Sequence, residues 1–155
     1  MKKVIIAAAK RTPVGSFNGV LSGVTAPQLG STAIKALLEE TQINPELVDE
    51  VILGNVLSAG QGQAPARQAA IYAGLPVKTE ALTINKMCGS GLKAIMLAQQ
   101  AIAMGDAEII IAGGMESMTN APYLLSNARN GYRLGNGVLQ DSIILDGLTD
   151  VYNNI

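Results

Sequence analysis

The sequence predicts an α/β fold in which helices cover a mostly parallel sheet, and three observations support this prediction. Short apolar runs alternate along the chain with segments of helical periodicity, as in consecutive βαβ units. The first apolar run is continuous, which is typical of a strand covered on both faces. The composition is 48% hydrophobic and only 15% charged, so little of the chain is suited to contact with solvent.

Length and charge narrow the classes of protein that this chain can represent. With 155 residues it can form one domain with a sizeable core, and it is too short for two ordinary ones. Its formal net charge of -1 provides no field that would attract nucleic acid or an anionic membrane. Basic runs are also absent, so no nucleic-acid partner is expected.

The N-terminal residues imitate a signal peptide without meeting its requirements. Lys10 and Arg11 end the first apolar run after six residues, whereas a signal sequence needs roughly 7–15. No stretch approaches the ~18 consecutive apolar residues of a membrane span. A single cysteine allows no internal disulfide, which suits a reducing compartment. We therefore expect a cytoplasmic protein without a membrane segment.

The first three predicted elements are a strand, a helix and a second strand. The continuous apolar run at residues 4–8 predicts a buried strand. Thr25 and Gln28 form a capping box, in which each side chain bonds the other residue's backbone N–H, and this predicts a helix that ends near Thr41. Residues 48–57 predict the second strand, and their apolar character favours a central position in the sheet.

Four further elements follow in the next part of the chain. Pro65 begins a short helix that Gly74 closes. Residues 80–86 and 107–112 predict two more strands, and residues 91–104 predict a helix that is apolar on nearly every side, which is typical of a buried helix. Beyond residue 119 the sequence sustains neither a helical nor a strand period. This predicts an irregular segment that packs on something else, or the start of an element that the chain does not complete.

Histidine is absent from the sequence, and this constrains the chemistry more than any other feature of the composition. Histidine is the most common general base and the most common metal ligand in proteins. With one cysteine and no histidine, a zinc site of the usual type is excluded, and no metal is expected. A nucleophile in this chain must be activated by its backbone surroundings, by a charged neighbour or by another chain.

The single cysteine, Cys88, lies between a predicted strand and the predicted buried helix. Gly89 and Gly91 permit a tight turn and a close approach of the backbone. The first N–H groups of a helix are free and its dipole favours an anion, so they can stabilise a thiolate or an oxyanion. Gly89, Ser90 and Gly91 are the candidates for these turn and oxyanion contacts. A buried, unreactive cysteine and a Ser90 that only caps the helix fit the local sequence equally well.

Four motifs, in order and spread over the whole chain, resemble those of the thiolase family. The segment 85–94 around Cys88 resembles the nucleophile segment of thiolases, and of the biosynthetic acetyl-CoA acetyltransferases in particular. Residues 7–17 look like the family's opening strand and loop. Residues 54–57 with 60–68 look like its second strand and the following turn, and residues 113–119 look like the exit of its fourth strand.

The resemblance implies the fold in more detail. It implies that residues 1–118 form the family's N-terminal βαβ domain, with a mixed, mostly parallel five-stranded sheet and helices on both faces. Residues 119–155 would begin the loop domain that binds coenzyme A, without completing it. The helix after Cys88 would pack against its counterpart in the family's other half. Each side chain left uncovered forfeits roughly 1.5–3 kcal/mol, so we expect poor solubility or obligate association of this chain alone.

The resemblance also implies roles for single residues. Cys88 would take the acyl group of an acyl-CoA as a thioester, which a second substrate then attacks. Leu148 matches a position that contacts the pantetheine arm, and Leu134 lies in a loop that leans toward the neighbouring subunit. Thiolases take a histidine, a second cysteine and an asparagine-held water from their later half, whereas this sequence has no histidine and one cysteine.

The implied reaction is acyl transfer, either the condensation of two acetyl-CoA to acetoacetyl-CoA or the reverse thiolysis. Coenzyme A and its thioesters would be substrates, and no permanently bound cofactor is expected. The complete enzyme would be a homodimer or tetramer, and this chain would be inactive without the C-terminal half. The alternative is a non-catalytic thiolase-like module that uses its apolar face for dimerisation. A dinucleotide-binding domain is set aside because Gly-x-Gly-x-x-Gly does not follow the first strand.

Overall fold

A three-stranded parallel sheet forms the centre of the structure, a computed structural model that describes residues 3–153. Its strands are β1 (Glu50–Gly54), β2 (Glu80–Ile84) and β3 (Ile110–Gly114), in the order β2-β1-β3. β1 pairs in parallel with both neighbours. The central position predicted for the second apolar run is therefore confirmed.

Helices cover both faces of this sheet, as predicted. They are α1 (Ala26–Thr41), α2 (Pro65–Tyr72) and α3 (Ser90–Met104), and short 3₁₀ turns occur at Pro45–Leu47 and Met118–Asn120. The side chains of β1 alternate between the faces. Val51 and Leu53 belong to the core that includes residues of α1 and α2, while Ile52 packs with Ala94 and Ala98 of α3.

The first helix begins where the capping box predicts. The Thr25 N–H donates to Gln28 Oε1 at 2.9 Å, and the Gln28 N–H donates to Thr25 Oγ1 at 3.4 Å. Two N–H groups that an α-helix leaves unpaired at its start are thereby satisfied. The helix ends at Gln42, whose φ of 54° places it in the left-handed region.

The strands are shorter than the apolar runs that predict them. β1 occupies only part of the predicted 48–57, and β3 begins three residues after the predicted start at 107. The carboxylate of Asp49 accepts the N–H groups of Glu108 and Ile109 at 2.7 and 3.0 Å. A side chain therefore takes the backbone donors that would otherwise extend the ladder toward residue 107.

The prediction of a strand at residues 4–8 is wrong. Residues 3–16 have no helix or strand, and Ile5 and Ile6 are 72% and 79% exposed. A strand requires a partner for its backbone hydrogen bonds, and no strand in the described part of the chain lies alongside this segment. An ion pair between Lys10 and Glu40 connects it to α1.

α3 is apolar on nearly every side but is not buried all round, as expected for a helix whose counterpart would come from the family's other half. α3 buries Ser90, Ala94 and Ala98, while Leu92 and Met104 are 66% and 75% exposed. The sheet covers one face of this helix, and nothing else in residues 3–153 covers the other. None of the helices described is long and apolar enough to cross a membrane.

The segment after residue 119 is partly ordered, contrary to the absence of a period in its sequence. A short antiparallel pair joins β4 (Tyr123–Leu124) to β5 (Gln140–Asp141), and a π-helical turn follows at Ile143–Leu148. The buried Ser142 hydroxyl donates to the Pro122 carbonyl at 2.6 Å. The five-stranded sheet that the resemblance implies is not confirmed, because residues 3–153 form separate sheets of three and two strands.

The parallel register places two carboxylates side by side at the amino ends of β1 and β2, where Glu50 lies opposite Glu80. Burial raises the pKa of Glu50, and the charge of Glu80 raises it further. The folded chain therefore binds this proton more tightly than the unfolded chain. Stability is lost as the pH rises from the ordinary pKa of a glutamate through the raised one.

A Glu50→Gln change is expected to remove that loss of stability, because glutamine carries no charge to be desolvated or repelled. Urea unfolding at about pH 4 and about pH 7 measures the effect. The variant should lose less stability between the two pH values than the wild type does. Glu39→Gln, on the exposed face of α1, is the matched control because it removes one exposed charge that does not contribute to the raised pKa of Glu50. An unchanged difference in Glu50→Gln would contradict the assignment.

Candidate active site

Cys88 lies in the turn that joins β2 to α3, and its side chain is exposed. The Met87 N–H donates to Asn85 Oδ1 at 2.9 Å, and the Gly89 N–H donates to the Lys86 carbonyl at 3.1 Å. These bonds close the chain into a tight strand-to-helix turn. The exposure of the thiol removes the alternative of a buried core cysteine.

The residue before the cysteine has an unusual backbone conformation. Met87 has a φ of 48°, in the left-handed region that costs a residue with a Cβ on the order of 1–2 kcal/mol. Such outliers persist where the surrounding bonds impose them, and they are concentrated at functional sites. The turn therefore holds Cys88 in a position that an unconstrained chain would rarely adopt.

The side chain of Ser90 stabilises this turn through two hydrogen bonds. Its Oγ accepts the Lys86 N–H at 2.8 Å and donates to the Met87 carbonyl at 2.6 Å, and the residue is 5% exposed. Gly89 is the N-cap of α3, so Ser90 is not the capping residue of this helix. Its hydroxyl instead bonds the backbone on the N-terminal side of Cys88.

The three candidates for oxyanion contacts differ in what their N–H groups do. The N–H groups of Gly89 and Ser90 donate to the carbonyls of Lys86 and Met87 inside the turn. The Gly91 N–H has no acceptor within residues 3–153. Of the predicted donors, Gly91 is therefore the one whose N–H takes no part in the hydrogen bonds of the turn.

Glycines at the strand ends allow the start of α3 to lie directly on the sheet. A Cβ at Gly54 would lie 2.4 Å from the Ser90 Cβ and 2.9 Å from its carbonyl carbon. A Cβ at Gly114 would lie 3.5 Å from the Gly91 Cα. The contact at Gly114 is an ordinary one, but real Cβ atoms essentially never come within 3.0 Å of such neighbours, so Gly54 sets the position of the turn.

A cavity of about 280 Å³ opens beside Cys88 at the carboxyl ends of the strands, the edge at which α/β sheets bind ligands. Its walls come from the exits of β1 and β3, from the Cys88 turn and from the π-helical turn. They are Gly54, Asn55, Val56, Leu57, Met87, Cys88, Ser90, Gly91, Gly114, Met115, Glu116, Met118, Ile143, Gly147 and Leu148. The structure therefore brings Leu148 into the same cavity as Cys88.

Leu134 lies outside this cavity and is 99% exposed, in the irregular segment between β4 and β5. A larger cavity of about 360 Å³ lies at the opposite edge of the sheet. Carboxylates and Lys78 line it, and no cysteine does. In the described part of the chain, no three histidine, cysteine or carboxylate side chains are placed so that they could hold a metal ion.

Glu116 is a residue of the cavity that the sequence analysis missed. Its carboxylate accepts hydrogen bonds from Asn55 Nδ2 at 2.7 Å and from the Val56 and Leu57 N–H groups at 2.8 and 3.1 Å. The signal was an acidic residue two positions after the glycine pair that ends β3. It was overlooked because its partners are about sixty residues away in the sequence and no local pattern connects them.

Comparison with known proteins identifies the family of this chain. The family model of the thiolase N-terminal domain matches residues 4–155. The acetyl-CoA acetyltransferase of Chromobacterium violaceum is 60% identical over 97% of this chain, and that of Cupriavidus necator is 58% identical over 99%. A probable acetyl-CoA acyltransferase of Staphylococcus epidermidis is 56% identical over 99%.

These matches cover nearly all of this chain but a minor part of each relative. The chain spans 38% of the Chromobacterium violaceum protein and 39% of the other two. The similarity therefore concerns the N-terminal domain, in which the strand-to-helix turn with Cys88 lies. Because the family model matches almost the whole length of this chain, the chain belongs to the thiolase family.

Proposed function

We propose that this chain provides the acyl-accepting cysteine of a thiolase. In the proposed step the Cys88 sulfur attacks the thioester carbonyl of an acyl-CoA, and a new carbon–sulfur bond forms. The bond to the coenzyme A sulfur then breaks, and coenzyme A leaves with the proton of the cysteine. The observation that carries this proposal is the exposed thiol at a constrained strand-to-helix turn beside a cavity.

The cavity walls support acyl-CoA as the substrate class. Apolar side chains from four separate segments, including Leu57, Met118 and Leu148, line the cavity together with Cys88. We propose that Leu148 contacts the pantetheine arm and that the free Gly91 N–H binds the oxyanion of the tetrahedral intermediate. Condensation of two acetyl-CoA to acetoacetyl-CoA, or its reversal, is the proposed reaction, since two of the relatives described above are named acetyl-CoA acetyltransferases.

A base and a second proton-transfer group are required beyond what this chain contains. The sequence has no histidine, and Cys88 is its only cysteine. We propose that these groups come from the part of the relatives that this chain does not span, and that this chain alone does not turn over. We further propose a homodimer or tetramer for the complete enzyme, with Leu134 at a subunit contact and no permanently bound cofactor.

The rate at which Cys88 is alkylated tests whether the turn makes its thiol reactive, as proposed. Iodoacetamide is expected to modify Cys88 of the folded chain faster than that of the same chain in concentrated urea, because the turn exposes the thiol at a helix start that favours an anion. Prior incubation with acetoacetyl-CoA should slow the alkylation, whereas free acetoacetate should not. Mass spectrometry of the Cys88 peptide measures both effects. Equal rates in the folded and unfolded chain would contradict the proposal.

The second candidate function is a non-catalytic interaction module. The uncovered apolar face of α3, with Leu92, Met96 and Met104 at 49–75% exposure, favours it. The two candidates differ in what acetoacetyl-CoA does. A module that only associates would sediment as an oligomer and would show no protection of Cys88, whereas the thiolase proposal requires that protection.

A further inference from the structure

The carboxylate of Glu116 lies where the chain leaves β1 and β3. Its Oε1 accepts from Asn55 Nδ2 and from the Leu57 N–H, and its Oε2 accepts from the Val56 N–H. One side chain on the exit of β3 therefore fixes three consecutive residues on the exit of β1. We refer to residues 55–57 as the β1 exit segment.

The β1 exit segment forms part of the wall of the Cys88 cavity. Asn55, Val56 and Leu57 all line that cavity together with Cys88 and with Glu116 itself. Its first residue has two further bonds, from the Asn55 N–H to the Ile84 carbonyl at 3.0 Å and from Nδ2 to the Met115 carbonyl at 3.4 Å. For Val56 and Leu57, the carboxylate is the acceptor that holds their N–H groups.

The Asn55 side chain shows how strongly the orientation of this segment depends on Glu116. Asn55 is 2% exposed, and its Oδ1 is buried without a hydrogen-bond donor within the described residues. The shorter of the two bonds to Nδ2 is the one to the Glu116 carboxylate. Charge-assisted bonds of this type are the stronger ones, so the carboxylate sets the orientation of the amide.

We infer that Glu116 is a positioning residue for the acyl pocket, acting through the β1 exit segment rather than by contact with the reacting atoms. The inference rests on the proposed function, because the pocket that it shapes is the one assigned above to the acyl group at Cys88. A carboxylate suits this task because all three partners are donors. Glutamine at this position would place its amide NH2 group, which is itself a donor, opposite one or more of those donors.

The test compares Glu116→Gln with wild type, and Ser117→Ala is the matched control. Ser117 is the next residue, and its Oγ donates to the Val24 carbonyl at 3.0 Å without lining the cavity. The first measurement is amide hydrogen exchange. Glu116→Gln is expected to accelerate exchange at Val56 and Leu57 while Leu53, in the middle of the sheet, keeps its protection.

The second measurement is the ratio of two alkylation rates at Cys88, with N-hexylmaleimide and with iodoacetamide. The hexyl chain gains from an apolar wall that Val56 and Leu57 help to form, whereas iodoacetamide is too small to depend on it. Glu116→Gln is expected to lower the ratio of hexylmaleimide to iodoacetamide rates several-fold. Ser117→Ala is expected to leave the ratio at the wild-type value, even if its unfolding temperature falls.

The outcomes separate this inference from the proposed function. Faster exchange at Val56 and Leu57 with a lowered ratio supports the inference. Unchanged exchange overturns it, and so does faster exchange with an unchanged ratio, since Glu116 would then have a structural role only. Neither readout requires acyl transfer, so a Cys88 that never accepts an acyl group contradicts the proposed function without affecting this result.

Discussion

Replacing Cys88 with serine is expected to abolish acyl transfer in a mixture of this chain with the C-terminal part of the Chromobacterium violaceum relative. The wild-type mixture is expected to convert acetoacetyl-CoA and coenzyme A to acetyl-CoA. A serine hydroxyl is a much weaker nucleophile than a cysteine thiol, because a thiol ionises far more readily near neutral pH. The rate of acetyl-CoA formation measures the effect.

Each part assayed alone is the control for this reconstitution. Neither should form acetyl-CoA, because one lacks the base and the other lacks Cys88. Turnover by the Cys88→Ser mixture at the wild-type rate would contradict the assignment of the nucleophile. A wild-type mixture that is folded and associated but inactive would contradict the proposal that the two parts form one thiolase site.

Replacing Gly54 with alanine is expected to have the largest effect on the fold. The added Cβ would lie 2.4 Å from the Ser90 Cβ, 2.9 Å from the Ser90 carbonyl carbon and 3.0 Å from the Gly91 nitrogen. Backbone cannot rotate away as a flexible side chain can, so the start of α3 must move off β1. Overpacking of this type costs about 1–3 kcal/mol, and urea unfolding measures the loss.

Gly23→Ala is the matched control for this change. A Cβ at Gly23 meets nothing within 4 Å, so the same added methyl group should be tolerated there. The Gly54→Ala variant should also lose the enhanced alkylation rate of Cys88 before it unfolds, because the displaced turn includes the thiol. Stability and alkylation equal to those of Gly23→Ala would contradict the role of Gly54 as the contact that positions the turn.

Some elements of the fold and of the site were predictable because their causes are local. The capping box of Thr25 and Gln28 places the start of α1, and the continuous apolar run at residues 51–53 predicts a buried central strand. The position of Cys88 between a strand and a helix follows from glycines next to it in the sequence. In each case the residues that carry the signal are close together along the chain.

Other elements were not predictable because their partners are distant. The apolar run at residues 4–8 has the composition of a strand, but composition does not show whether a neighbouring strand exists to bond it. Glu116 bonds residues about sixty positions away, and nothing in its own segment indicates that contact.

The location of the acyl group after reaction is the most direct test of the claim that Cys88 is the acyl acceptor. The reconstituted mixture is incubated with acetoacetyl-CoA without free coenzyme A, quenched in acid and digested, and the peptides are analysed by mass spectrometry. We predict an acetyl group on Cys88, because the sulfur attacks the keto carbon of acetoacetyl-CoA and the bond from that carbon to the methylene carbon breaks. The methylene carbon takes the proton of the thiol and leaves in acetyl-CoA. Hydroxylamine should remove the acetyl group from Cys88, as expected for a thioester. An acetyl group found only on other residues, with Cys88 unmodified in an active mixture, would contradict the account.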